Sequence, residues 1–199
     1  EPQTETVWRQ ANQFDIPRLL FINKMDKPGA DFFAALDTIE DRLGGNPVPV
    51  CIPLEDGSVI DLVEQKHIQF SGELGQETTV GDIPEEHQDL VDLYRESTLL
   101  AAAEEDEELE ELVLMEEEVD PEQVWAALRK ATIEGRIHPA FGGSSLRNWG
   151  VQPVLDGVLK LLPSPKERPA SYAKDLGGEE HLVEMVNDAP MVALAFKVQ

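Results

Sequence analysis

The chain has few basic residues for its length, and this shortage limits what it can bind. Its 199 residues include 16 Lys and Arg against 40 Asp and Glu, which gives a formal net charge of −24. Because proteins bind nucleic-acid backbones through clustered Lys and Arg, we expect no direct nucleic-acid binding from this acidic segment. The negative charge fits a protein that meets neutral or basic protein partners.

Cysteine and long apolar runs are also scarce. The single cysteine, Cys51, cannot form an internal disulfide, and its apolar neighbours predict a small buried side chain in a reducing compartment. No apolar stretch approaches the length of a membrane span and no signal peptide is visible, so we expect a cytoplasmic protein without membrane contact. Hydrophobic residues still make up 41% of the chain, enough for a packed core.

The chain also lacks a Gly-x-x-x-x-Gly-Lys-[Ser/Thr] loop, which in nucleotide hydrolases cradles the phosphates. Hydrolysis depends mainly on positioning and neutralising those phosphates. The chain alone is therefore predicted not to hydrolyse a nucleoside triphosphate, and to bind one weakly or not at all. No catalytic residue and no metal ligand is assigned in it.

The most informative motif that is present is Asn23-Lys24-Met25-Asp26, which follows the short apolar run 19–22. An aspartate at a strand end can accept hydrogen bonds from guanine N1–H and N2–H₂, a pair of donors that adenine lacks. A site that would leave buried polar groups unpaired rejects the analogue. Asn23 can direct its amide to guanine N7 or to a neighbouring loop, and the Lys24 stem can lie over the base.

A second loop follows another predicted strand and carries Gly143-Ser144-Ser145-Leu146. In open α/β sheets, ligands bind beyond the carboxyl ends of the strands, so both loops are expected at one site. The second loop can direct a backbone N–H to guanine O6, and the Ser144 hydroxyl can brace Asp26. The candidate base-binding residues are Asn23, Lys24, Asp26, Ser144, Ser145 and Leu146.

Hydrophobic periodicity predicts an α/β fold with five segments. Helices are predicted over 5–14 (with Thr4 as N-cap), 30–43, 84–103, 121–133 (with Asp120 as N-cap) and 151–162, strands over 18–23, 48–54, 59–63, 66–70 and 137–141, and a loop over 71–81. The segments are a strand–loop–helix unit (1–45), an α+β insertion (46–135), a second strand–loop–helix unit (136–163), a proline-rich linker (164–188) and the first strand of a truncated domain (189–199).

The ends of the sequence suggest a piece of a longer protein, because it begins without Met and stops inside a strand-like run. If neighbouring strands are missing, the predicted strands 18–23 and 137–141 keep exposed edges. Such edges invite pairing with another chain, so we expect oligomerisation or a loosened first half.

Five separated blocks carry a family resemblance. They are residues 1–11 (EPQTETVWRQA), 21–26 (FINKMD), 29–32 (GADF), 46–49 (NPVP) and 162–165 (LPSP). In this order they closely resemble translation elongation factor G, over nearly the whole chain. The resemblance implies a partial P-loop GTPase-type sheet, two parallel strands with helices, that carries the α+β insertion as an extra subdomain. A β-barrel second domain would begin near Ala189.

The resemblance also implies site roles. Asn23, Lys24 and Asp26 would be the guanine-specificity motif of that family. Ser144-Ser145-Leu146 would stand where the family has Ser-Ala followed by Leu or Phe; Ser145 departs from this pattern, but the expected contact is its backbone N–H. The phosphate loop, both switch regions and the catalytic histidine would lie upstream of Glu1. Surface or packing roles are expected for the four histidines here, His67, His87, His138 and His181.

For the parent protein, the resemblance implies a GTPase that drives tRNA and mRNA through the ribosome during elongation. It would bind GTP or GDP, with magnesium held by residues outside this segment. Paralogous ribosome-recycling, ribosome-protection and release-factor GTPases remain open as alternatives. So does a protein-interaction module whose nucleotide loops are inert.

The insertion would meet the ribosome, through its stalk protein. Residues 104–118 are densely acidic, and two interpretations remain open. Charge runs are usually solvated helix faces. The sharper hypothesis is a docking surface for a basic helix of the stalk protein.

Overall fold

In the computed structural model, which describes residues 2–73, 75–167, 171–175, 177–186, 188–189 and 191–193, six strands pair into one sheet. They are β1 (Leu20–Ile22), β2 (Pro47–Pro53), β3 (Val59–Asp61), β4 (Lys66–Ser71), β5 (Glu77–Gly81) and β6 (His138–Gly142). Their order is β1-β6-β2-β3-β4-β5. The strands β1, β6 and β2 run parallel, and β2 to β5 form an antiparallel meander.

The fold is α/β, as predicted, but the sheet is larger than the two parallel strands expected from the sequence. Strands β2 to β5, predicted within the insertion, continue the sheet of β1 and β6 because β2 pairs directly with β6. Residues 1–162 accordingly form one compact unit, with 163–199 as a second. The domain boundaries near residues 46 and 135 stay predictions, and the sheet crosses both.

The pairing of β6 corrects the expectation for its edge. The prediction that strand 137–141 keeps an exposed edge is wrong, because β1 and β2 flank β6 on both sides. Among the described strands, β1 pairs with β6 alone. A cavity of about 900 Å³ lies beside β1, lined largely by apolar side chains that include Val7, Phe14 and Ile39.

Strand β5 was missed, since residues 71–81 were predicted as a loop. All five residues of β5 are exposed, so it has no buried face and no apolar alternation to signal a strand. The other five strands of this sheet were predicted within two residues of their observed ends.

Six helices are described in the first unit. They are α1 (Pro2–Gln13), α2 (Phe32–Leu43), α3 (Gln88–Ala103), preceded by a 3-10 turn (Glu85–His87), α4 (Glu107–Leu114), α5 (Pro121–Ile133) and α6 (Val151–Leu161). Asp31, Asp106 and Asp120 cap α2, α4 and α5 by accepting first-turn N–H groups. The prediction for α5 and its cap is confirmed. The prediction of Thr4 as an N-cap is wrong, because α1 begins at Pro2.

The core lies on both faces of the sheet. Successive residues of β6 point to opposite sides, so Ala140 packs with Phe32 and Leu36 of α2, while Phe141 packs with Leu128 and Leu161 of α5 and α6. Cys51 is buried as predicted, and burial raises the pKa of its thiol. In the described part of the chain, every helix is too short or too polar to cross a bilayer.

The second unit holds a 3-10 turn (Pro165–Glu167) and two short antiparallel strands, β7 (Ser171–Lys174) and β8 (Glu180–Val183). They fall inside the predicted linker 164–188. The strand predicted over 189–199 lies mostly outside the described residues, since only 189 and 191–193 of it are described. That strand stays a prediction.

Candidate functional site

The two predicted loops meet at the carboxyl ends of β1 and β6. Because these strands are parallel and Ile22 pairs with Gly142, the loops leave the sheet side by side. Two backbone bonds join them at once: Met25 N–H donates to the Gly143 carbonyl (3.0 Å), and Gly143 N–H donates to the Ile22 carbonyl (3.1 Å). The convergence predicted from the sequence is therefore present in the fold.

Asp26 is the centre of the contact between the loops. Ser144 Oγ donates to Asp26 Oδ1 at 2.7 Å, across 118 positions of sequence. The Asp26 side chain is only 7% exposed, and Lys27 Nζ lies 3.6 Å from its other oxygen, Oδ2. The Ser144 hydrogen bond, helped by the Asp26 backbone N–H and the charges of Lys27 and Arg147, holds the pKa of this carboxyl below its ordinary value, against the opposing effect of burial. The site thus offers an ionised carboxylate, an acceptor for paired N–H donors.

Asn23 ties the first loop to the second. Its Oδ1 accepts hydrogen bonds from Lys24 N–H (2.7 Å), Ser145 N–H (3.0 Å) and Ser145 Oγ (3.1 Å). Of the two roles considered for Asn23, the structure shows the contact with the neighbouring loop. All three hydrogen bonds use the carbonyl oxygen of the Asn23 amide, and none of them uses its NH₂ group.

The remaining predicted residues border the site from the solvent side. Lys24 is exposed, with a left-handed backbone (φ 68°) that turns the chain sharply after β1. Ser145 is exposed, and its N–H, expected to face a base oxygen, is donated to Asn23 in this structure. Leu146 is 75% exposed. All six candidates lie on the two loops, but the contacts among them centre on Asn23, Asp26 and Ser144.

Sequence reasoning missed two cations, Lys27 and Arg147, that act on Asp26. Both directly flank the predicted motifs, so their positions in the sequence were the available signal. The Arg147 N–H also donates to Ser144 Oγ at 3.3 Å. Ser144 Oγ therefore accepts a hydrogen bond from the Arg147 N–H while it donates its own proton to Asp26.

Two further clusters of polar side chains include no residue of these loops. A cavity of about 420 Å³ between the sheet, α5 and α6 contains Glu64, whose Oε1 accepts from Trp125 Nε1 (2.7 Å) and Lys160 Nζ (2.8 Å). Among the described residues, one group of potential metal ligands was found, Asp175, Glu179 and His181, all exposed in the second unit.

The histidines have structural contacts. His67 Nε2 lies 2.8 Å from Ser58 Oγ in a buried position. His138 packs against the Trp8 ring at 4.7 Å, and burial lowers the pKa of its imidazole. His87 and His181 are at least partly exposed.

The acidic segment is not uniformly solvated. Glu107, Glu108 and Glu111 are exposed on α4. In contrast, the Glu105 side chain is only 2% exposed and forms ion pairs with Arg136 and Lys130. These ion pairs hold the Glu105 side chain in a buried position. The exposed acidic surface is formed by Glu107, Glu108 and Glu111.

Comparison with known proteins gives consistent findings. Residues 1–164 match the family described as the elongation factor Tu GTP binding domain. Elongation factor G of Fervidobacterium nodosum is 45% identical over 203 aligned residues, covering 100% of this chain and 29% of that protein. A crystal structure of a Thermus thermophilus protein superposes with a TM-score of 0.72 at 32% identity, covering 86% of this chain and 26% of that one. The chain thus spans less than a third of either relative.

Proposed function

The chain belongs to the family of the elongation factor Tu GTP-binding domain, and on this basis we propose that loops 23–26 and 144–146 bind the guanine base of GTP or GDP. In this proposal the chain is part of a translational GTPase that promotes movement of tRNA and mRNA through the ribosome in the cytoplasm. It supplies base recognition and a surface for the ribosome.

One observation carries the proposal: the 2.7 Å hydrogen bond from Ser144 Oγ to Asp26 Oδ1. It fixes an ionised, largely buried carboxylate at the junction of two loops. Such a carboxylate can accept guanine N1–H and N2–H₂ together. A base without this pair of donors would leave the carboxylate unpaired, and sites of this kind reject such analogues by about 10⁴-fold.

The other residues take supporting roles. The Asn23 NH₂ group, which lies outside the bonds made by its oxygen, is free to face guanine N7. The Lys24 stem covers one face of the base. The backbone N–H groups of Ser145 and Leu146 donate hydrogen bonds to guanine O6. The Ser145 N–H is then shared between guanine O6 and Asn23 Oδ1.

Hydrolysis belongs to the longer parent protein. The segment contains no glycine-rich phosphate loop, so alone it binds GTP weakly or not at all and does not cleave it. Magnesium would neutralise phosphate charge in the parent, through ligands supplied outside this segment.

The proposed partner surface is the exposed acidic side of α4, facing a basic helix of the ribosomal stalk protein. Reversal of the exposed charges should slow association with ribosomes and weaken its salt dependence, because electrostatic steering acts mainly on the association rate. The triple variant Glu107→Lys/Glu108→Lys/Glu111→Lys tests this by stopped-flow binding. Glu105 is left unchanged because it is ion-paired, and Glu40→Lys/Asp41→Lys, at two exposed positions of α2, is the control. If the association rate stays unchanged, the segment is only a solvated face.

The decisive experiment for the base site is Asp26→Asn in the full-length protein. An amide at this position can donate to the 2-oxygen of xanthine, so nucleotide preference should move from GTP to XTP by about 100-fold or more. Exposed Asp37→Asn on α2 is the matched control. If both variants keep the wild-type preference, the loops are inert, and the alternative of a pure interaction module gains support. Recycling, protection and release paralogues share the base site and are separated by a translocation assay.

A further inference from the structure

The loop that carries Ser144 is also held from the side opposite Asp26. Ser144 and Trp149 form a bridge, with N–H to carbonyl distances of 2.9 and 3.0 Å in the two directions. This closes residues 144–149 into a small loop. A Cβ on Gly143 would overlap the Trp149 carbonyl, so the bridge requires glycine there.

The first support is the turn between β2 and β3. Gly57, at the centre of this turn, is buried and lies directly against the Trp149 ring. A Cβ added to Gly57 would come within 2.6 Å of ring atoms Cδ2 and Cε3. The indole ring therefore packs directly against the Gly57 backbone. This contact fixes the position of the end of the 144–149 loop.

The second support is the turn between β4 and β5. The buried Gly75 carbonyl accepts hydrogen bonds from Asn148 Nδ2 (3.3 Å) and Gln152 Nε2 (3.2 Å). A Cβ on Gly75 would lie 2.6 Å from the Arg147 carbonyl. Both Arg147 and Asn148 are in the 144–149 loop, and Arg147 N–H is the group behind Ser144 Oγ.

We propose that Gly57, Gly75 and Trp149 are positioning residues for guanine recognition. Through them, two hairpin turns of the meander hold the 144–149 loop where Ser144 Oγ meets Asp26. This inference rests on the proposed function, and it assigns a role in base selection to a part of the sheet that touches no base. In the proposed function the phosphates are bound outside this segment, so a displaced loop should affect discrimination between bases more than affinity for phosphate.

The test compares GDP with IDP, whose base lacks the N2 amino group, by competition binding to the full-length protein. Gly75→Ala presses on the Arg147 carbonyl, and Trp149→Ala removes the ring that seats on Gly57. For both variants we expect the ratio of GDP to IDP affinity to fall about tenfold, as for one hydrogen bond lost to a charged group. Gly135→Ala is the control, because Gly135 also has a positive φ (73°) but has open space around it.

A second readout reports the position of the loop without nucleotide. Hydrogen exchange on the 199-residue chain should be faster at the Ser144 and Trp149 amides in both variants, with amides of α5 unchanged. Where Gly75→Ala fails to fold, Asn148→Gly/Gln152→Ala removes the two side-chain bonds to Gly75, and glycine is compatible with the positive φ (58°) of Asn148. Faster exchange with a lower GDP to IDP ratio supports the inference. Normal discrimination in folded variants overturns it, whereas failure of the wild-type protein to prefer GDP overturns the proposed function itself.

Discussion

Replacing Ser144 by Ala removes one oxygen atom, and the structure predicts a large effect on base binding. The hydroxyl has no solvent exposure and makes a 2.7 Å hydrogen bond to an ionised carboxylate. Water cannot easily replace it, so both Asp26 Oδ1 and Arg147 N–H lose a partner. Hydrogen bonds to charged groups correspond to about 10- to 100-fold in an equilibrium constant, and we expect GDP affinity to fall by that factor.

The same substitution should change the titration of Asp26. The Ser144 bond is the largest cause of the lowered pKa, so Ser144→Ala should raise the pKa of Asp26 toward its ordinary value. A carboxyl with a lowered pKa in the folded state stabilises the fold above the unfolded-state pKa, and this contribution is lost as the pH falls through the folded-state value. The wild-type protein should therefore retain the Asp26 contribution to a lower pH than Ser144→Ala.

The assay has two arms. Competition binding on the full-length protein gives GDP affinity, and carboxyl ¹³C shifts on the 199-residue chain give the Asp26 titration. Ser97→Ala is the matched control, because its hydroxyl is exposed on α3 and bonds only within that helix, to the Tyr94 carbonyl. If Ser144→Ala binds GDP normally and leaves the Asp26 titration in place, the reasoning about the contact between the loops is refuted.

Two further predictions concern stability and reactivity. Burial raises the pKa of Asp61 to about 6, so this group opposes folding increasingly as the pH rises from its unfolded-state value through 6. Asp61→Asn, which can still accept from Val63 and Glu64 N–H, should raise the free energy of unfolding by about 3 kcal/mol at pH 8 and by much less at pH 4. Urea unfolding at both pH values checks this, and an equal change at both contradicts it. Buried Cys51, with its raised thiol pKa, should react with iodoacetamide only upon unfolding; rapid alkylation of the folded chain would show that the thiol is accessible.

Local signals explain what could be predicted from the sequence. Helix α5 was predicted with its observed bounds because Asp120, Pro121 and the apolar period all act within a few residues. The meeting of Asp26 and Ser144 was also predictable, because loops after parallel strands leave the same edge of a sheet. In both cases, short-range chemistry and one general rule of sheet topology were sufficient.

The missed features depend on long-range pairing. Nothing near Pro47 indicates that β2 pairs with β6, which is distant in the sequence, so the extent of the sheet was underestimated. The support of Trp149 by Gly57 likewise joins positions far apart in the chain. Strand β5 was invisible for another reason: an edge strand with every residue exposed carries no hydrophobic pattern.

The edge of β1 that faces away from β6 is one boundary of the six-stranded sheet. This strand pairs with β6 alone among the described strands, beside the cavity lined by α1 and α2. An unpaired strand edge next to apolar surface favours pairing with another polypeptide segment. Tests of nucleotide binding therefore use the full-length protein.

The most direct measurement is a crystal structure of the full-length protein with GDP. We predict that both Asp26 carboxylate oxygens lie within about 2.7–3.2 Å of guanine N1 and N2, with the Ser144 hydroxyl still bonded to Asp26. A guanine base bound away from loops 23–26 and 144–146, or an Asp26 carboxylate turned from it, would contradict the account.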